Sequence, residues 1–140
     1  MVPPSTYYIE TSVWGSLAPR QPADRKRIVR HLLSVLDGNR GIGVISAVVL
    51  AEVNLASAAD AAAIRRSLAS WAPAAYPVTE AVETLARAYI AAGVLPERRQ
   101  SDALHVAAAT YYQTDYLVSW NHRHMTRPMK RLQFESVNRL

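Results

Sequence analysis

The chain contains no cysteine among its 140 residues. This absence excludes a disulfide-stapled scaffold, a zinc site built on thiolates and a cysteine nucleophile, and it suits a reducing cytoplasm. No apolar run approaches the roughly 20 residues that a membrane-spanning helix needs. The first residues also lack a basic stretch followed by an apolar stretch, so we expect no secretory signal. The sequence is therefore typical of a cytoplasmic protein without membrane contact.

Charged residues are few, at 19%, whereas half of the chain is hydrophobic. This composition predicts a single folded domain over residues 1–140, with enough apolar side chains for a core. Sixteen Lys and Arg face eleven Asp and Glu, which gives a formal charge of +5. A basic balance favours anionic partners, nucleic acid first, although a solvated basic surface would have the same composition.

Short apolar runs alternate with longer amphipathic segments along the chain. Apolar runs without polar alternation are typical of parallel strands that are buried on both faces. The predicted strands are Tyr7–Ile9, Ile42–Ile45, Tyr76–Val78, Tyr116–Ser119 and Phe134–Val137. The predicted helices are a short turn capped by Thr11 and Ser12, then Asp24–Leu36, Ala47–Ala58, Ala61–Trp71, Thr79–Ala92, Ser101–Tyr112 and Met125–Leu132. Asp24, Ser46, Thr79 and Ser101 are the predicted caps of four of these helices. The order predicts an α/β fold with a parallel sheet covered by helices on both faces.

Four polar residues stand at positions where this pattern predicts apolar ones. Glu10 and Asn121 each follow a predicted strand, Glu52 interrupts the apolar stripe of a helix, and Asp102 lies in a first helical turn. Each residue alone has an ordinary explanation. Glu10 could form a salt bridge, and Glu52 could be half-exposed. Asp102 would be favourable at a helix start, and Asn121 would be an ordinary turn residue. In parallel α/β sheets, however, ligands bind beyond the carboxyl ends of the strands. We therefore expect the four residues to meet at one edge of the sheet.

Clustered carboxylates give a chemical reason for such a set. Burying a carboxylate costs several kcal/mol unless something compensates its charge. A hard divalent cation such as Mg²⁺ binds carboxylate oxygens and completes its coordination with water. One or two such ions can activate a water and stabilise the displacement at a phosphodiester, so no side-chain nucleophile is required.

Four stretches of the chain resemble, in order, the signatures of the PIN-domain ribonucleases. The stretches are Tyr8–Val13 (YIETSV), Leu50–Val53 (LAEV), Ser101–His105 (SDALH) and Leu117–His124 (LVSWNHRH). The resemblance covers nearly the whole chain. It implies a three-layer α/β/α sandwich with a central parallel sheet and an endoribonuclease that depends on Mg²⁺ or Mn²⁺. It also implies the toxin of a VapC-type toxin–antitoxin pair, with a cognate antitoxin and a homodimeric state.

The resemblance also assigns roles to individual residues. Glu10, Glu52 and Asp102 would hold the metal, and Asn121 would complete the pocket. Five further residues are candidates for substrate contact or support: Thr11, Ser12, His105, Arg123 and His124. Thr11 or Ser12 would bind a metal-bound water or cap a helix. His105 would orient Asp102 or be an interior histidine, and His124 would contact RNA or fix its loop.

Two departures from the family pattern motivate a competing hypothesis. Glu10 and Asn121 stand where the family usually or often has aspartate. The alternative is a catalytically impaired module that binds RNA or a protein partner. A phosphatase or nucleotide-binding regulator is a third hypothesis, which the absence of a glycine-rich loop after any predicted strand weakens.

Overall fold

A computed structural model describes residues 3–140, apart from the side chains of Asn39 and Arg40. The strands are β1 (Ser5–Ile9), β2 (Gly41–Ser46), β3 (Ala74–Tyr76) and β4 (Tyr116–Val118). The helices are α1 (Thr11–Gly15), α2 (Ala23–Val35), α3 (Ala47–Asn54), α4 (Ala58–Trp71), α5 (Glu80–Ala91), α6 (Gln100–Tyr111) and α7 (Pro128–Asn138). Shorter segments are π-helical at Leu36–Arg40 and His122–Thr126 and 3₁₀-helical at Glu97–Arg99. The predicted alternation of strands and helices is confirmed.

The four strands form one parallel sheet in the order β3-β2-β1-β4. The register places Tyr8 of β1 between Val44 of β2 and Leu117 of β4. From β1 the chain winds outwards through β2 to β3, and it then returns to place β4 on the other side of β1. The direction of winding therefore reverses between β1 and β4. In open α/β sheets, a ligand-binding crevice forms at such a switch point.

Two separate cores cover the two faces of the sheet. Successive residues of a strand point to opposite faces. Tyr8 and Val44 accordingly pack with residues of α5, α6 and α7, whereas Ile9 and Ile45 pack with residues of α1 to α4. The fold is a three-layer α/β/α sandwich, as the sequence predicts. Among the described residues, no helix has the length and apolar character needed to cross a bilayer.

For the helices after α1, two predicted caps are confirmed and two are wrong. Ser46 Oγ accepts a hydrogen bond from the backbone N–H of α3 at 3.2 Å, and Thr79 Oγ1 does the same for α5 at 3.4 Å. Ser101, by contrast, lies inside α6, because that helix continues from the 3₁₀ turn before it and has no side-chain cap. Asp24 lies inside the first turn of α2, which follows Pro22 directly.

The prediction for the C-terminal tail is wrong. Phe134–Val137 is not a strand but part of α7, and the predicted helix Met125–Leu132 is divided between the π-helical segment and α7. Pro128 begins α7, where its fixed φ suits the first helical turn. Phe134 packs edge-on against Tyr89, with ring centroids 4.8 Å apart. Phe134 and Val137 are three residues apart, so both reach the core from one face of a helix.

Two other boundaries differ from the prediction. The segment Ala47–Ala58 is interrupted after Asn54, because Ser57 caps a new helix by accepting from the backbone N–H of Asp60 at 3.3 Å. The edge strand is Ala74–Tyr76 rather than Tyr76–Val78. It ends before Pro77, which has no N–H to donate to a neighbouring strand.

Candidate functional site

The carboxyl ends of β1 and β4 carry two of the four singled-out residues. Glu10 follows β1 directly, and Asn121 lies three residues beyond the end of β4. Both are therefore at the switch point of the sheet. Glu52 reaches the same edge from α3, and Asp102 reaches it from the first turn of α6. We call these four residues and the groups hydrogen-bonded to them the carboxyl-edge site.

Glu10 is buried and is held by neutral donors. Its side chain, 6% exposed, accepts from the backbone N–H of Ser12, with oxygen distances of 2.9 and 3.2 Å, and from Ser119 Oγ at 2.9 Å. Glu10 is thus the N-cap of α1, a role that the sequence had assigned to Thr11 or Ser12. A carboxylate at this position interacts favourably with the partial positive charge of the helix start.

Two serines connect α1 to the loop that follows β4. Ser12 Oγ accepts from the backbone N–H of Trp120 at 3.0 Å, and Ser119 Oγ accepts from the backbone N–H of Asn121 at 2.9 Å. Because Ser119 also donates to Glu10, it links the first and fourth residues of the site. Sequence reasoning missed Ser119, because the predicted strand Tyr116–Ser119 includes it and a serine at the end of a strand is common.

Glu52 is partly exposed and binds two side chains through one oxygen. Its Oε1 accepts from Thr11 Oγ1 at 2.7 Å and is hydrogen-bonded to His105 Nε2. Burial alone would raise the pKa of Glu52, but the hydrogen bonds from His105 and from Thr11 lower it overall. The expectation that His105 orients Asp102 is wrong: the ring lies against β1 and α3 and binds Glu52 instead.

A buried tyrosine and serine stand behind His105. Tyr8 Oη lies 2.7 Å from His105 Nδ1 and 2.7 Å from Ser46 Oγ. Exposure of the three residues is 1% or less. Sequence reasoning treated Tyr8 only as part of a strand and Ser46 only as a cap. A tyrosine in a strand buried on both faces needs a partner for its hydroxyl, and this was the available signal.

Asp102 and Asn121 contact each other directly. Asn121 Nδ2 donates to Asp102 Oδ2 at 3.1 Å, and a guanidinium nitrogen of Arg99 lies 3.7 Å from the same oxygen. Asn121 Oδ1 accepts from the backbone N–H of His124 at 3.2 Å and lies 3.3 Å from Nδ1 of the His124 ring, so His124 contacts Asn121 through both its backbone and its side chain. Loss of hydration and the charge of Arg99 lower the pKa of His124, against the opposing effect of Asp102. Arg123 is exposed.

The carboxylate oxygens of the site are the type of ligand that a hard cation binds. The hydrogen bonds of the described residues use Oε1 of Glu52 and Oδ2 of Asp102, and they leave the second oxygen of each carboxylate without a partner. Within residues 3–140, no group of three or more acidic or histidine side chains is arranged so that it could hold a metal ion. Mg²⁺ in proteins is commonly bound by only one or two carboxylates together with water. The carboxylates of Glu52 and Asp102 are therefore of the ligand type that Mg²⁺ binds in proteins.

A basic helix lies beside the loop that carries Asn121. The guanidinium of Arg25, on α2, stacks over the ring of Trp120 at 4.7 Å from its centroid. Such a cation–π contact stabilises the position of both groups. Arg27 and Arg30 of the same helix are exposed. Part of the basic face of α2 is therefore held against the residue that precedes Asn121.

Comparisons with known proteins do not identify the chain. No family model matches it, and no curated protein matches it. The chemistry of the carboxyl-edge site and the four motifs are therefore the indications of function.

Proposed function

We propose that the protein is a metal-dependent endoribonuclease that hydrolyses RNA phosphodiester bonds with a metal-activated water at the carboxyl-edge site. The observation that carries this proposal is the hydrogen-bonded convergence of the site at the switch point of the sheet. Ser119 joins Glu10 to Asn121, and Asn121 in turn donates to Asp102. Glu52 is tied to the same site through Thr11, the neighbour of Glu10.

In this proposal, the carboxylates with an available oxygen, Glu52 and Asp102, hold Mg²⁺ or Mn²⁺. A bound divalent ion would supply an acidified water and would offset the charge that develops on the phosphate. Glu10 adds negative charge at the end of β1 and fixes the start of α1. Asn121 holds Asp102 through its amide N–H group.

The surroundings of the site suit an anionic polymer. RNA carries one negative charge at each phosphate, and Lys and Arg side chains supply most of the sequence-independent affinity for it. The chain has a formal charge of +5, and Arg25 holds the basic face of α2 beside Trp120. Arg123 adds an exposed charge two residues after Asn121. These positions place positive charge next to the side of the site that Asn121 forms.

The test is cleavage of a labelled RNA in the presence of Mn²⁺. We expect EDTA to abolish cleavage and added Mn²⁺ to restore it. Asp102→Asn should lower the rate by at least about 100-fold, because loss of a metal ligand costs more than the 10–100-fold typical of its supporting partners. The matched control is Asp115→Asn, which makes the same change at the opposite edge, where the carboxylate accepts from the backbone N–H of Thr6 at 2.7 Å. Cleavage that survives EDTA or Asp102→Asn would contradict the proposal.

The contacts of Asp102 favour a second candidate, an RNA-binding module without turnover. Asp102 Oδ2 already accepts from the amide of Asn121 and lies near the guanidinium of Arg99. Within residues 3–140, no group of three acidic or histidine side chains is arranged to hold a metal ion. This candidate predicts that RNA is retarded in a gel-shift assay and stays intact with Mn²⁺ in excess. The toxin role, the antitoxin partner and the homodimer stay predictions from the motif resemblance.

A further inference from the structure

Behind Glu52 lies a chain of three buried polar side chains from three different elements. Ser46 ends β2, Tyr8 is in β1 and His105 is in α6. Their contacts are 2.7 Å from Ser46 Oγ to Tyr8 Oη and 2.7 Å from Tyr8 Oη to His105 Nδ1, and His105 Nε2 then bonds Glu52. Buried hydroxyl and ring N–H groups are costly without partners, so the placement of their protons is tightly constrained.

The protons can be assigned along this chain. An ionised Glu52 can only accept, so His105 Nε2 carries the hydrogen and donates it. In the neutral ring the other nitrogen, Nδ1, is an acceptor and receives the hydroxyl hydrogen of Tyr8. The oxygen of Tyr8 accepts from the hydroxyl of Ser46, whose own oxygen accepts from the backbone N–H of Val48 at 3.2 Å. Each donor in this chain has one acceptor.

The opposite assignment leaves a hydroxyl without a partner. If His105 Nδ1 carried a hydrogen, in the other neutral tautomer or in the charged ring, it would donate to Tyr8, and Tyr8 would donate to Ser46. The hydroxyl of Ser46 would then have no acceptor among the hydrogen bonds of residues 3–140, at a residue with 0% exposure. The contacts therefore select the tautomer with hydrogen on Nε2, which is the one that binds a carboxylate.

We propose that Ser46, Tyr8 and His105 form a positioning relay that fixes the orientation of the Glu52 carboxylate. The relay holds Oε1 from the protein interior, while Thr11 holds the same oxygen from α1. The second oxygen is left for a ligand. This role rests on the proposed function, because it matters for activity only if Glu52 binds the metal. His105 is a positioning residue, since its contacts are with protein groups.

The deciding variant is Tyr8→Phe, with Tyr89→Phe as its matched control. Tyr89 is equally buried, and its hydroxyl donates to Asn138 Oδ1 at 2.5 Å in the layer of α5 and α7. Each variant loses one buried hydroxyl, but only Tyr8 is connected to Glu52. In titration calorimetry, Tyr8→Phe should bind Mn²⁺ with an affinity about 10-fold weaker, and Tyr89→Phe should bind it with unchanged affinity. A loss of about 10-fold is the lower end of the range for removal of a group that supports a metal ligand. Equal affinities in the two variants would overturn the relay.

Nitrogen NMR of the His105 ring separates failure of the relay from failure of the nuclease proposal. We expect hydrogen on Nε2 in the unmodified protein. We expect its exchange with solvent to become faster in Tyr8→Phe but not in Tyr89→Phe. Hydrogen on Nδ1, or unchanged exchange in Tyr8→Phe, would overturn the relay whether or not RNA is cleaved. If the unmodified protein binds no Mn²⁺ and cleaves no RNA, the proposed function fails, and the same NMR result still decides the relay.

Discussion

Small hydroxyl side chains set the geometry of the carboxyl-edge site at the scale of single residues. Thr11 binds Glu52, and Ser119 binds Glu10, with distances of 2.7 and 2.9 Å. The acids are recognisable in the sequence because each one breaks an apolar pattern or follows an apolar run. Ser119 offers no such contrast, since serine is common wherever strands end. The identities of the acids were therefore predictable, whereas their hydrogen-bond partners were not.

Gly41 is required where β2 begins, because there is no room for a side chain. A Cβ atom there would lie 2.6 Å from a ring carbon of Tyr7 and 2.7 Å from a methyl of Leu36. Its backbone is extended, with φ of −176°, so the constraint is space rather than conformation. We expect Gly41→Ala to lower the free energy of unfolding by about 1–3 kcal/mol, as overpacking does.

Urea unfolding measures this loss, and Gly15→Ala is its control. A Cβ atom at Gly15 would meet nothing within 4 Å. The control should therefore change stability by less than about 0.5 kcal/mol or increase it slightly. Similar losses in both variants would show that the crowding around Gly41 relaxes at little cost.

At the scale of elements, three of the four singled-out residues lie at the starts of helical segments. Glu10 caps α1, Asp102 lies in the first turn of α6, and Asn121 caps the π-helical segment after β4. The existence of most helices followed from apolar spacing and cap residues. Their starts were harder to predict, because a serine before an apolar stripe caps a helix only when the chain enters from an extended segment. Ser46 meets that condition, and Ser101 does not.

The difference between a true cap and an apparent one can be measured. Thr79→Ala removes the hydroxyl that accepts from the first turn of α5 and should cost about 1 kcal/mol. Ser101→Ala replaces an exposed residue inside α6 and should be neutral or slightly stabilising, because alanine has the higher helix propensity. Thermal unfolding of the two variants gives the comparison. A loss for Ser101→Ala as large as that for Thr79→Ala would contradict the assigned start of α6.

At the scale of the whole molecule, an acidic centre lies within a basic chain. Three carboxylates occupy the carboxyl-edge site, yet the formal charge of the chain is +5. The remaining surface is therefore more basic than the total suggests. We expect RNA affinity to depend on where positive charge lies, and not only on its amount.

Two variants with the same change in net charge test this expectation. Arg25→Gln removes a positive charge beside Trp120. Arg87→Gln removes one from an exposed position on α5, which packs on the face of the sheet opposite to α2. Arg25→Gln should weaken RNA binding and reduce the slope of log affinity against log salt by about 0.7, the value for one single-strand phosphate contact. Arg87→Gln should leave both unchanged in a filter-binding assay over a range of salt. Equal effects would indicate attraction by net charge alone.

The sequence by itself determined the fold class, the order of strands and helices as far as β4, and the acids that lie at the carboxyl edge of the sheet. These features follow from local patterns, namely apolar runs, helical spacing and the polar residues that interrupt them. Only the tertiary structure decided the strand order and the partner of each carboxylate. The bond from Thr11 to Glu52 spans 41 residues, and the bond from Ser119 to Glu10 spans 109. Contacts at such separations arise when the sheet places β2 and β4 on either side of β1, and no local pattern encodes that step.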